Sequence, residues 1–146
     1  MTTPPEMREL AHRLLTYEAV AGKDSEPTEP PVLRVYGKLR QTLCEFSGVA
    51  GFQALASRAL ALSRPDVPSL GAARVATDGY LLGMSEFERQ IEIDKDRAGD
   101  GGIILISRLL GLLLMFLGES LTLSLLRDAW PGAALDDFNS SNGRKA

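Results

Sequence analysis

The sequence of 146 residues predicts an all-α domain of five to six helices, arranged as orthogonal or bundle-like helical hairpins, with one small β-hairpin near residues 73–83. Three observations carry this. Apolar residues recur in steps of three and four within Met7–Ala21, Val32–Phe46 and Phe52–Leu62, the spacing of one helical face. A leucine-rich block, Ile103–Leu126, is apolar on almost every side. Between them lies Thr77-Asp78-Gly79, and Asp-Gly flanked by short apolar runs is a hairpin signal.

The first helix is expected to start near Thr2 or Thr3, a capping hydroxyl followed by prolines whose missing N–H costs nothing in the first turn. Met7, Leu10, Leu14, Tyr17 and Ala21 form its apolar stripe, and Gly22 ends it. Lys23–Pro30 is polar and rich in turn formers, as a flexible linker would be. Pro31 opens a second helix with Val32, Tyr36, Leu39, Leu43 and Phe46 on one side, stopped at Ser47-Gly48. A third carries Phe52, Leu55, Ala59 and Leu62 and closes at Arg64-Pro65, because the residue before proline is pushed off helical angles.

Ala73–Ala76 and Tyr80–Leu82 are the two hairpin strands, which must lean on the helices because an isolated hairpin is marginal in water. Ser85 is expected to cap a short helix. Glu92–Gly102 reads as an acidic, glycine-rich loop, with Asp100 capping the helix that follows. Gly118-Glu119-Ser120 then divides the apolar block into two helices, with Ser120 as an N-cap, and Pro131-Gly132 ends the second. Residues 1–135 are thus one helical domain and 136–146 a flexible tail. Phe46-Ser47-Gly48 followed by Leu55 and Ala59 matches Phe116-Leu117-Gly118 followed by Leu125 and Ala129 at the same offsets. Either the two halves are a pseudo-symmetric pair of hairpins, or glycine simply recurs at such corners.

A helix without a polar face is a core helix or a membrane span. Ile103–Leu117 is too short, at about 22 Å against a hydrocarbon core of ~30 Å. Extending it to Leu126 would bury Arg108 and Glu119, each costing roughly 2.5–3.5 kcal/mol near the centre of a span. Three other helices carry one-sided stripes that need a partner, so a buried core hairpin is the expected role.

Charge and composition narrow the function. A net charge of −3 opposes general nucleic-acid binding. Cys44, the single cysteine, forbids an internal disulfide and is expected to be a buried small hydrophobe in a reducing compartment. The N-terminal residues lack the basic start and apolar run of a signal peptide, so a cytoplasmic location is expected. No phosphate-binding loop, dinucleotide fingerprint or nucleophile elbow is present, and one histidine with one cysteine cannot build a zinc site rich in those ligands. Asp94, Asp96 and Asp100 fail as a calcium loop. Counted from Asp96, Ala98 would stand at the third ligand position and Ser107 at the twelfth. No enzymatic activity, metal or cofactor is expected.

What remains is a charge asymmetry. Residues 31–64 hold Arg34, Lys38, Arg40, Arg58 and Arg64 against Glu45, a balance of +4. Residues 85–100 hold Glu86, Glu88, Glu92, Asp94, Asp96 and Asp100 against three cations, a balance of −3. Arg34 and Lys38 share a helix face. Opposite patches steer association, so Arg34, Lys38, Arg40, Glu86, Glu88, Asp94 and Asp96 are the candidate interaction residues, within the fold or between copies.

Two resemblances add to this. Leu10-Ala11-His12-Arg13-Leu14-Leu15 resembles the phosphoacceptor helix of histidine phosphotransfer domains, which implies phosphoryl transfer through His12; it departs at Leu15 and Thr16, where a lysine and a glycine would follow. Phe46-Ser47-Gly48, Leu60-Ala61-Leu62 before Pro65, and Gly118–Leu123 with Ala129-Trp130-Pro131 resemble a family of small bacterial cytosolic proteins without an assigned activity. The expected function is a non-enzymatic helical interaction or adaptor module, binding another protein or itself rather than a membrane. Its rivals are phosphotransfer through His12 and DNA binding through the basic second helix.

Overall fold

A computed structural model describes residues 5–21, 31–93 and 95–131. Six helices and a two-stranded antiparallel sheet make up the described residues: α1 (Pro5–Ala21), α2 (Pro31–Ser47), α3 (Val49–Ser63), β1 (Arg74–Val75), β2 (Leu81–Leu82), α4 (Ser85–Ile93), α5 (Lys95–Leu117) and α6 (Glu119–Ala129). The protein is all-α with one small β-hairpin. The expected cap near Thr3, the linker Lys23–Pro30 and the tail 136–146 lie outside the described residues.

Helix α5 is the hub. Helices α1, α2, α3, α4 and α6 all pack on it, which is why its sequence is apolar almost all round. Leu105, Ile106, Leu109, Leu110, Leu112 and Leu113 are buried along it. Arg108 escapes by reaching the end of α3. Its Nη1 donates to the Leu62 carbonyl and its Nη2 to Asp66 Oδ2 at 2.7 Å, giving partners to a carbonyl at the helix terminus.

The loop expected at Glu92–Gly102 is instead largely helix, since α5 begins at Lys95. Asp100, expected to cap this helix, therefore lies within it and not at its start. The glycine pair was the misleading signal, because glycine weakens an isolated helix. Here it permits close approach: a Cβ on Gly101 would sit 3.1 Å from Val67 Cγ1, and one on Gly102 would sit 3.2 Å from Val32 Cβ. Tight interhelical packing overrides propensity.

The internal echo is structural. Gly48 has φ 89°, ψ 161° and Gly118 has φ 91°, ψ 163°, a backbone region open essentially to glycine alone. The Gly48 N–H donates to the Cys44 carbonyl at 2.9 Å, and the Gly118 N–H to the Leu114 carbonyl at 2.9 Å. The Gly48 carbonyl accepts from the Phe52 N–H, and the Gly118 carbonyl from the Thr122 N–H. Each corner closes one helix and opens the next with the glycine alone between them. Gly118 is therefore the N-cap of α6, and Ser120, expected in that place, lies one residue inside the helix.

Helices α2 and α5 run side by side in the same direction. Val32 meets Gly102 at one end, while Leu39 and Leu43 share a seam with Leu113 and Leu117 toward the other. That seam encloses only about 10 Å³, too little for a comfortable water. Helix α3 lies back along α5, and α6 back along α2. Exchanging the two hairpins maps one contact onto the other, and both glycine corners fall at the same end of the bundle.

Candidate functional site

Two of the cations singled out on α2, Arg34 and Lys38, are partly exposed but ion-paired within the fold. Arg34 Nε donates to Glu18 Oε1 at 3.1 Å, and Lys38 Nζ lies 2.7 Å from Glu18 Oε2. Trp130 completes the ring of donors, its Nε1–H reaching Glu18 Oε2 at 2.8 Å. Only 2% of Glu18 is exposed. Burial pushes its carboxyl up, but hydrogen bonds from Lys38, Trp130 and Arg34 outweigh that, holding it below the ordinary range. Lys38 also lies over the Trp130 ring, 5.5 Å from its centroid. This network ties α1, α2 and the end of α6 together. Glu18 escaped the sequence reading because it interrupts no apolar stripe; it sits beside Tyr17, at the stripe's edge.

Arg40 serves the hairpin. Its Nε donates to the Asp78 carbonyl at 2.8 Å, and its guanidinium stacks 3.8 Å from the Tyr80 ring centroid. Tyr36 donates its hydroxyl to the Gly79 carbonyl at 2.6 Å and packs edge-on against Phe52. Burial raises the Tyr36 phenol well above its usual value, only partly offset by Arg40, so it stays a donor. The turn itself needs Gly79, whose φ is 90° and whose missing Cβ leaves room for Phe52. Arg74 pairs with Leu82 and Val75 with Leu81, and the Ala76 N–H donates to the Tyr80 carbonyl, so Thr77-Asp78-Gly79 is a three-residue loop.

Among the described residues, neither Glu86 nor Glu88 makes an ion pair with the basic candidates. Glu86 is exposed and pairs with Arg89 at 2.7 Å; Glu88 is exposed in the first turn of α4, where acids complement the helix dipole. Asp94 and the side chain of Asp96 lie outside the described residues. None of the ion pairs found among the described residues joins α2 to α4. His12 stands exposed on α1, and Cys44 is half-buried against the core.

A different surface collects large apolar side chains. Phe46 is 48% exposed, Val49 38%, Met115 69% and Phe116 65%, and all four sit at the two glycine corners. Phe46, expected in the buried stripe of α2, is instead about half exposed in the last turn of that helix. Exposed apolar groups gathered in one place mark interaction surfaces. The echo around Phe46 and Phe116 was the sequence signal for this site; what it lacked was the parallel course of α2 and α5 that brings the corners to one end.

Beside this end, an open groove of about 460 Å³ runs between α2 and α6, within the size range of ligand clefts. Phe46, Leu125 and Ala129 supply its apolar floor, and Gln41, Thr42, Glu45 and Asp128 its polar walls. Lys38 closes one end, turned toward Glu18. Among the described residues, no group of three or more His, Cys, Asp and Glu could hold a metal ion, and no helix is long and apolar enough to cross a membrane. No family model, curated protein or solved structure matches the chain.

Proposed function

We propose that this protein is a non-enzymatic helical interaction module that docks another protein on the end of the bundle where its two glycine corners meet. The supporting observation is the exposure of Phe46, Val49, Met115 and Phe116 on a fold whose own core is complete without them. Rigid corners suit such a role, because side chains beside a backbone turn that only glycine adopts are presented without much ordering cost on binding. A partner fits better than a second copy. Across residues 41–57 and 109–126 the charged residues are Glu45 and Glu119, and pairing two such ends would set like charges together.

The test is the double substitution Phe46→Ser with Phe116→Ser. Wild type captured on a solid support is expected to retain a discrete partner from its native cell extract, and the serine pair to lose it with unchanged helicity by circular dichroism. Retention by the serine pair would move the docking surface elsewhere. A dimer in light scattering that the serine pair converts to monomer would replace the partner with a second copy.

A further inference from the structure

We infer that the groove between α2 and α6 receives a cationic amphipathic segment of the partner, a helix or strand carrying Lys or Arg beside its apolar residues. The inference rests on the interaction reading above and adds the chemistry of what is bound. Phe46 belongs both to the exposed end and to the groove, so the two surfaces are continuous. Apolar side chains of a ligand can follow Phe46 onto Leu125 and Ala129 while its polar flank meets the walls.

Those walls are anionic. Glu45 and Asp128 are both exposed, and neither makes an ion pair among the described residues. The one cation of the groove, Lys38, already has Glu18 Oε2 at 2.7 Å and is stacked near Trp130, so it closes the end without neutralising the walls. Gln41 and Thr42 add hydrogen-bonding groups to the same rim. An acidic peptide or an anionic lipid surface would meet two uncompensated carboxylates here. A cationic segment would meet two charges and an apolar floor.

The experiment uses the full chain and two labelled helical peptides, one built of leucine and lysine, the other with glutamate at every lysine position. Fluorescence anisotropy is expected to show the lysine peptide binding at least about tenfold tighter, with affinity that falls as salt is added. Reversing the walls by Glu45→Lys with Asp128→Lys is expected to weaken the lysine peptide by about tenfold and strengthen the glutamate peptide. A photo-crosslinking residue at Gln41 is expected to label the bound peptide. Equal binding of both peptides, binding of neither, or a lysine-peptide affinity unmoved by the reversal would overturn the inference. If the native partner is lost on Phe46→Ser with Phe116→Ser yet ignores the charge reversal, the docking end stands and this assignment of its ligand falls.

Discussion

Trp130 donates its indole N–H to the Glu18 carboxylate at 2.8 Å across 112 positions of sequence. The same carboxylate takes Arg34 and Lys38 from α2, so one buried acid holds three helices. Arg34 and Lys38, which from the sequence read as a binding face, are the ion-pair partners of this junction.

Glu18→Ala is expected to cost about 3 kcal/mol, toward the low end for breaking a buried charged pair, because Arg34 and Lys38 are near enough to the surface to recover water. Trp130→Phe removes one donor and is expected to cost about 1 kcal/mol in addition to any packing change. Urea unfolding of both variants measures this, and a cost for Glu18→Ala below that of an ordinary surface substitution would show the network to be idle.

The pH dependence follows from the direction of the Glu18 shift. Its folded-state carboxyl lies below the ordinary value of 4.5, so in acid the unfolded chain binds the proton first. The stabilisation is fully present above that ordinary value and is lost as pH falls through the folded value. A series of unfolding midpoints is expected to decline on this acid limb in wild type, and less steeply in Glu18→Gln.

Arg108, part-buried on α5, gives a second test. It joins α5 to the Leu62 carbonyl and to Asp66, so Arg108→Met keeps much of the apolar stem and removes the donors. The expected cost is about 2 kcal/mol, the penalty for a carbonyl left without its charged donor. Thermal unfolding reads it.

Much of the architecture was legible because it obeys periodicity: Leu10, Leu14, Leu39 and Leu43 are buried where a 3.6-residue period puts them. The hairpin was legible from Asp78-Gly79. Two kinds of information were not local. Gly101 and Gly102 look like breakers until Val67, Phe87 and Val32 are seen against them. The candidate site likewise depends on pairing in space: Arg34 and Lys38 pointed to a surface until Glu18 supplied their counter-ion, and Phe46 continues the apolar period of α2 yet is exposed in its last turn.

The contrast between exposed Phe46 and buried Phe52 separates binding from folding. Phe46→Ser is expected to change stability by less than about 0.5 kcal/mol, as for an exposed position. Phe52→Ala, fully buried and edge-on to Tyr36, is expected to cost roughly 3–5 kcal/mol. Denaturant titration of the two variants distinguishes them, and a large loss from Phe46→Ser would place its ring in the core after all.

The glycine corners offer the sharpest test of the pseudo-symmetry. A Cβ at Gly48 or at Gly118 would meet no atom within 4 Å, so alanine at either place suffers from backbone conformation and not from crowding. Both residues occupy the same region, with φ near 90° and ψ near 160°. Gly48→Ala and Gly118→Ala are therefore each expected to cost about 1–3 kcal/mol, and by similar amounts. A D-alanine, placed by chemical ligation, puts its Cβ on the mirror side where this backbone is comfortable. It is expected to restore most of the loss at both corners. Rescue at one corner only would mean that the two glycines are not kept for the same backbone reason, and chemical denaturation of the four variants reads it.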